Sequence, residues 1–150
     1  MALVEALMSK LLRPPRILLA EDDYAVGNLF LADIRDQYEC NIDWVVDGAR
    51  AIDFIGEKPY DVVFLDLSLP IKSGVEVLRY IKEEKPTLPV IVIADHTDTM
   101  DWMEGTNLGV VGFLSKPLSA VNFANIFRTY GIRVIPRCMP LNALLEVQPA

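Results

Sequence analysis

Five side chains carry most of the chemistry legible in this sequence. Glu21, Asp22 and Asp23 follow the apolar run Ile17-Leu18-Leu19-Ala20; Asp66 ends the run Val62-Val63-Phe64-Leu65; Lys116 comes just after Val110 to Leu114. Three or four carboxylates brought within several ångströms repel one another, so either some take up a proton or a cation joins them. Oxygen ligands from one or two carboxylates, with waters retained, describe a magnesium site, which would in turn coordinate a phosphate group. Lys116 would neutralise one carboxylate or a phosphoryl oxygen. Each acid taken alone reads as a helix cap or a solvated loop charge. Taken together they are harder to dismiss, because loop charges have no reason to gather at the ends of three separate strands.

The elements that must position these groups follow from hydrophobic patterning. Ile17 to Ala20 reads as a short buried strand. Residues 24–37 read as an amphipathic helix with Val26, Leu29, Phe30 and Ile34 facing in and Asp23 as its N-cap. A strand over 41–46 turns at Asp47-Gly48 into a helix carrying Ala51, Ile52, Phe54 and Ile55 inward. Val62 to Leu65 shows no alternation, as suits a strand covered on both faces. Ser73-Gly74 opens a helix with Val75, Val77, Leu78 and Ile81, which Pro86 to Pro89 ends. Val90 to Ala94 is a further buried strand, 97–107 a weaker helix rich in Thr, Asp and Met, 110–114 a fifth strand, and Pro117 starts a helix to about Tyr130. This alternation predicts an α/β fold: a five-stranded parallel sheet with right-handed crossovers and helices on both faces. Ligands bind such sheets outside the carboxyl ends of the strands, where the acids lie.

Two flanks complete the chain. Leu3, Val4, Leu7, Met8, Leu11 and Leu12 recur at helical spacing until Arg13-Pro14-Pro15-Arg16 stops them, which fits either a helix packed on its own domain or a homodimer contact. Beyond residue 130, Ile132 to Ile135 suits an edge strand and Leu141 to Val147 a short helix. The expected division is an N-terminal helical extension over 1–13, one domain over 14–130 and a tail over 131–150. Apolar residues make up 52% and charged ones 23% of the 150, so a packed core is expected. A net charge of −7 with no basic stripe argues against nucleic acid as the main partner. No apolar run is long enough for a membrane span, no signal peptide is legible, and Cys40 and Cys138 lack metal-site spacing; free thiols in a reducing cytoplasm are the simpler reading.

With these residues in view, the chain resembles the receiver domain of two-component response regulators over about residues 15–130. The resemblance rests on Glu21-Asp22-Asp23, Asp66, Leu69-Pro70, Gly74, Pro89 and Lys116-Pro117, with 44 residues from Asp22 to Asp66 and 50 from Asp66 to Lys116. It implies a flavodoxin-like, doubly wound sheet of order 2-1-3-4-5. It also implies a stand-alone signalling module rather than an enzyme. Asp66 would be the phosphoacceptor, taking a phosphoryl group from a phosphohistidine of a sensor histidine kinase or phosphotransfer protein and passing the signal to a downstream protein partner. Glu21, Asp22, Asp66 and the backbone carbonyl of Ser68 would hold Mg2+, Lys116 would contact the phosphoryl group through a chain with a cis Lys116–Pro117 bond, and Phe113 would be the aromatic switch. Asp23 falls just outside the acidic pair.

The sequence departs from the family pattern at the end of the fourth strand. The family carries Ser or Thr there, followed by a small residue; here Ala94 has no hydroxyl, and Asp95 follows it. Losing a hydrogen bond to a charged acceptor costs about 1.5–3 kcal/mol. Asp95, if turned inward, would also repel a phosphate. These two residues favour a second reading, a pseudo-receiver adaptor with a weak or absent phosphorylation response. The lone His96 lies two residues past Ala94, as Ser68 does past Asp66, and both positions are expected to tune acyl-phosphate hydrolysis; an unchanged autodephosphorylation rate in His96→Ala would remove that expectation. Met100, Trp102 and Met103 read as core before partner surface. An aspartyl-nucleophile phosphatase of the haloacid dehalogenase kind would need an acid where Ser68 stands, and a nucleotide-binding fold would need a Gly-rich loop after the first strand.

Overall fold

The computed structural model describes residues 1–95, 109–116, 118 and 123–137, with the backbone alone for residues 8–12. The elements in chain order are α1 (Ala2–Leu12), β1 (Arg16–Ala20), α2 (Tyr24–Gln37), β2 (Tyr38–Glu39), β3 (Asn41–Val45), α3 (Gly48–Glu57), β4 (Val62–Asp66), α4 (Gly74–Glu84), β5 (Val90–Ala94), β6 (Gly112–Ser115), α5 (Phe123–Thr129) and β7 (Ile135–Pro136). Five strands form one parallel sheet in the order β3-β1-β4-β5-β6. Counting only the strands of that sheet, this is the flavodoxin-like order 2-1-3-4-5 expected from the resemblance. The chain steps from β1 outward to β3 and then back past β1 to β4. The switch point therefore lies between the carboxyl ends of β1 and β4.

Strand alternation divides the interior into two layers. Leu18, Ala20, Val63, Leu65, Val90 and Val92 turn to one face, where Ala51 and Ile55 of α3 and Val77, Leu78 and Ile81 of α4 cover them. Ile17, Leu19, Val62, Phe64, Ile91 and Ile93 turn to the other, against Phe30 and Ile34 of α2 and Phe123 and Phe127 of α5. Aromatic rings meet edge to face there, with Phe30 4.8 Å from Phe64 and 5.3 Å from Phe123. All five residues of β4 are buried, which is why its sequence shows no polar alternation.

The helices begin where side chains satisfy their first amides. Asp23 accepts from Ala25 and Val26 N–H, Asp47 accepts from Arg50 N–H, and Ser73 with Glu76 forms a reciprocal capping box. Gly74 is needed at the start of α4, since a Cβ there would lie 2.4 Å from Leu67 Cα and 2.6 Å from the Asp66 carbonyl oxygen. That close approach presses α4 against the exit of β4.

Several expectations change. Leu29 is exposed, because the buried stripe of α2 runs through Gly27, Phe30 and Ile34 and leaves Leu29 a hundred degrees away. The last sheet strand covers Gly112–Ser115 rather than 110–114. The edge strand expected over Ile132 to Ile135 is a two-residue strand outside the main sheet: β7 pairs antiparallel with β2. Carbonyls left free at the end of α2 draw it there, as Arg137 N–H donates to the Gln37 carbonyl (2.9 Å) and its side chain to that of Tyr38 (3.1 Å). Leu3, Val4 and Leu7 of α1 are exposed, so over these residues α1 is not packed on its own domain. The helix expected over 97–107, with Met100, Trp102 and Met103, and the short helix over Leu141 to Val147 lie outside the described residues, as do His96, Pro117 and Cys138.

Candidate functional site

The register of the sheet brings the charged residues together. Ala20 pairs with Val45 on one side and Leu65 on the other, so Glu21 leaves β1 beside Asp66 as that residue ends β4. Glu21 N–H still donates to the Val45 carbonyl at 3.0 Å. Lys116 follows β6, and its N–H donates to the Ala94 carbonyl at 3.1 Å. From there its ammonium reaches back across β5, 2.8 Å from Asp66 Oδ2 and 3.3 Å from Glu21 Oε1.

Glu21 and Asp66 are buried, with side chains 0% and 2% exposed. Asp66 Oδ1 accepts from Ser68 N–H at 2.8 Å, and Glu21 Oε1 accepts from Asp23 N–H at 3.1 Å. Glu21 Oε2 is buried and has no hydrogen-bond partner. One lysine thus serves two buried carboxylates, and one carboxylate oxygen is left over. Burial, followed by the closeness and charge of Asp66, pushes the Glu21 carboxyl up to about 8. Burial pulls Lys116 down, but the hydrogen bond and charge of Asp66, with those of Glu21, outweigh it and hold the ammonium well above its ordinary value.

Asp22 is exposed, yet one of its oxygens lies with oxygens of Glu21 and Asp66 in a group all within 4.8 Å of one another. Three carboxylates around an orphaned buried oxygen are a donor set suited to a hard divalent cation. Asp23 is a helix cap, as expected of it. Ser68 is exposed in the loop after Asp66, its N–H already committed. Ala94 and Phe113 are half-buried and pack into the same core layer, so the position facing the site from β5 is apolar. Asp95 is exposed and is not among the acids grouped with Glu21 and Asp66. The loop from Asp66 to α4 contains one backbone outlier, Ile71, at φ 68° and 79% exposed. Its neighbours close a tight turn, Lys72 N–H to the Pro70 carbonyl at 2.8 Å. Sequence reasoning passed over Trp44, whose indole N–H reaches the Glu21 carbonyl; a strand tryptophan reads as core, and only its packing gives it another meaning.

The response regulator receiver domain family matches residues 17–128. The chain belongs to that family. Receiver domains are signalling modules of two-component systems, and this chain is one of them. It is 29% identical over 137 residues to the response regulator protein PmrA of Pseudomonas aeruginosa, covering 90% of this chain and 62% of that protein. It is 27% identical to the signal receiver domain of a Luxo repressor protein from Vibrio parahaemolyticus, with a TM-score of 0.72 over 91% of this chain and all of that one. The receiver domain of the sensor histidine kinase PA1611 from Pseudomonas aeruginosa shares the fold at 23% identity and a TM-score of 0.68, over 81% of this chain and 98% of that one; its structure holds a magnesium ion in the active-site cleft. The chain spans about half of the curated relatives it matches, some of them named as transcriptional regulatory proteins. No helix among the described residues is long and apolar enough to cross a membrane.

Proposed function

We propose that Asp66 of this receiver accepts a phosphoryl group from a phosphohistidine of a sensor histidine kinase or phosphotransfer protein. The observation that carries the proposal is Lys116, which bridges Asp66 and Glu21 at 2.8 and 3.3 Å in the switch-point crevice. A carboxylate oxygen of Asp66 attacks phosphorus in line, the phosphorus–nitrogen bond breaks, and the electron pair leaves with the imidazole. Lys116 is already seated to neutralise a phosphoryl oxygen, and the Ser68 amide holds the other carboxylate oxygen of Asp66 in place. Glu21, Asp22, Asp66 and the Ser68 carbonyl are the groups that would hold Mg2+. Bound there, the ion offsets charge on the entering phosphoryl group. By the resemblance to the family, Glu21 would bind through water.

The phosphoryl-accepting unit is proposed to be residues 14–130, because every site residue lies between 21 and 116. Residues 1–13 are proposed as an extension and 131–150 as a tail. The output is a protein partner rather than a nucleic acid, in keeping with the net charge of −7. The unit is a phosphoacceptor, not an enzyme acting on a separate substrate. The exposed Leu3, Val4 and Leu7 support α1 as a homodimer contact; sedimentation that is unchanged when all three become Asn would count against it.

A second reading, the adaptor with little phosphorylation response, is favoured by Ala94, which brings no hydroxyl to the site. One experiment separates the two. Incubated with acetyl phosphate and Mg2+, the protein is expected to gain one phosphoryl mass that Asp66→Asn does not gain. No mass gain in the wild type would leave the adaptor reading standing.

A further inference from the structure

We propose that Trp44 is a positioning residue for the acidic loop, setting its affinity for a divalent cation without touching the ion. The inference rests on the reading of Glu21, Asp22 and Asp66 as the cation site. Trp44 lies on β3 opposite Leu19, and its indole N–H donates to the Glu21 carbonyl at 2.8 Å. That carbonyl belongs to the peptide joining Glu21 to Asp22. With Glu21 N–H already bonded to the Val45 carbonyl, β3 pins residue 21 at both of its peptide groups. On the far side of the loop, Asp23 is fixed as the cap of α2. Asp22, whose carboxylate is solvent-exposed and has no ladder bond of its own to orient it, hangs between these two anchors.

The ring is itself held. The first turns of α2 pass so close that a Cβ on Gly27 would lie 2.1 Å from Trp44 Cζ2 and 2.6 Å from Cε2. Tyr24 packs edge-on against it, with centroids 5.6 Å apart at 60°. Glycine at 27 therefore leaves room for the indole beside the helix, with its N–H on the Glu21 carbonyl. Helix α2, β3 and the acid pair are coupled through one side chain. Groups that orient metal ligands from behind affect an ion site's affinity although they never touch the ion.

The test is Trp44→Phe, which keeps most of the ring and deletes the donor, with Mg2+ affinity measured by calorimetry and stability by urea unfolding. The expected result is affinity weakened about 3- to 10-fold, the range for one lost hydrogen bond, with the half-saturating Mg2+ for acetyl phosphate uptake raised by the same factor. Gly27→Ala, which displaces the ring, is expected to weaken Mg2+ binding in the same direction. A Trp44→Phe protein with reduced stability but unchanged Mg2+ affinity would overturn the proposal, because a purely packing role predicts that pattern. So would a wild-type protein that binds no Mg2+ at all. Wild-type protein that binds Mg2+ but takes no phosphoryl group would defeat the proposed function alone, and the calorimetric comparison would still decide this inference. If Trp44→Phe does not fold, the Trp44 indole N–H resonance, assigned against Trp102→Phe, is expected to shift with added Mg2+ in otherwise native protein; a resonance that stays put would overturn the proposal.

Discussion

Asp61 and Asp66 stand at opposite ends of the same buried strand and face opposite electrostatic situations. Asp61, just before β4, accepts from the two terminal guanidinium nitrogens of Arg13 at 3.0 and 2.9 Å and from the Arg16 N–H at 2.8 Å. It is partly exposed, and its charge is matched one for one. Asp66, at the other end, is buried and shares a single ammonium with buried Glu21, leaving Glu21 Oε2 with no partner. The first arrangement is complete in itself, fastening the entry of β1 and the end of α1 to the sheet. The second is complete only when a proton or a cation joins it. An unmatched buried charge is costly unless something else uses it, and here the cost falls at the topological switch point.

The comparison can be broken most sharply at Lys116. Lys116→Met leaves buried Asp66 without its cation, beside a Glu21 carboxyl that burial keeps largely protonated at neutral pH, and is expected to lower stability by about 3–5 kcal/mol in metal-free buffer. Urea unfolding measures this, and saturating Mg2+ should recover much of the loss. A change below about 1 kcal/mol would mean that the pocket does not hold charge as described.

Acidity probes the same imbalance without mutation. The Glu21 carboxyl sits near 8 in the folded protein against 4.5 for an ordinary glutamate, so between those values the folded state binds more protons than the unfolded one. Stability conferred by the proton is therefore full below about pH 4.5 and is lost as pH rises toward 8. For the metal-free protein the fall is on the order of 2–4 kcal/mol from this group alone. Glu21→Gln should flatten the slope, and a pH series of urea midpoints reads it.

Ala94→Thr restores a hydroxyl to the rim. It should favour the phosphorylated form by about 1.5–3 kcal/mol if that oxygen reaches the phosphoryl group, seen as greater phosphoryl occupancy at fixed acetyl phosphate. Least affected is the matched end. Arg13→Ala leaves Asp61 solvated and is expected to cost only about 0.5–1 kcal/mol, because the pair is more than one-third exposed on the arginine side and screened by water; Mg2+ affinity should not move. If Arg13→Ala cost as much as Lys116→Met, the contrast between the two ends would fail.

Much of the fold was legible because its determinants are local. The run Val62 to Leu65 announced a strand covered on both sides, Ser73-Gly74 announced a helix start, and the alternation of runs announced parallel pairing. Local rules failed where the competition was tertiary. Leu29 satisfied an apolar pattern and yet faces solvent, because the buried stripe of α2 runs through Gly27, Phe30 and Ile34 instead. The segment after α5 has the apolar run of an edge strand, yet it pairs with β2 outside the main sheet, where Arg137 N–H meets the Gln37 carbonyl at the end of α2.

The same division holds at the site. Residue types and intervals placed Glu21, Asp22, Asp66 and Lys116 after apolar runs, where buried strands leave the sheet. Only the tertiary structure decided that Glu21 and Asp66 share one lysine, that Asp95 stays outside, and that Trp44 holds the acidic loop from behind. Strand order and side-chain reach set those distances, and neither is written in the residues that are brought together.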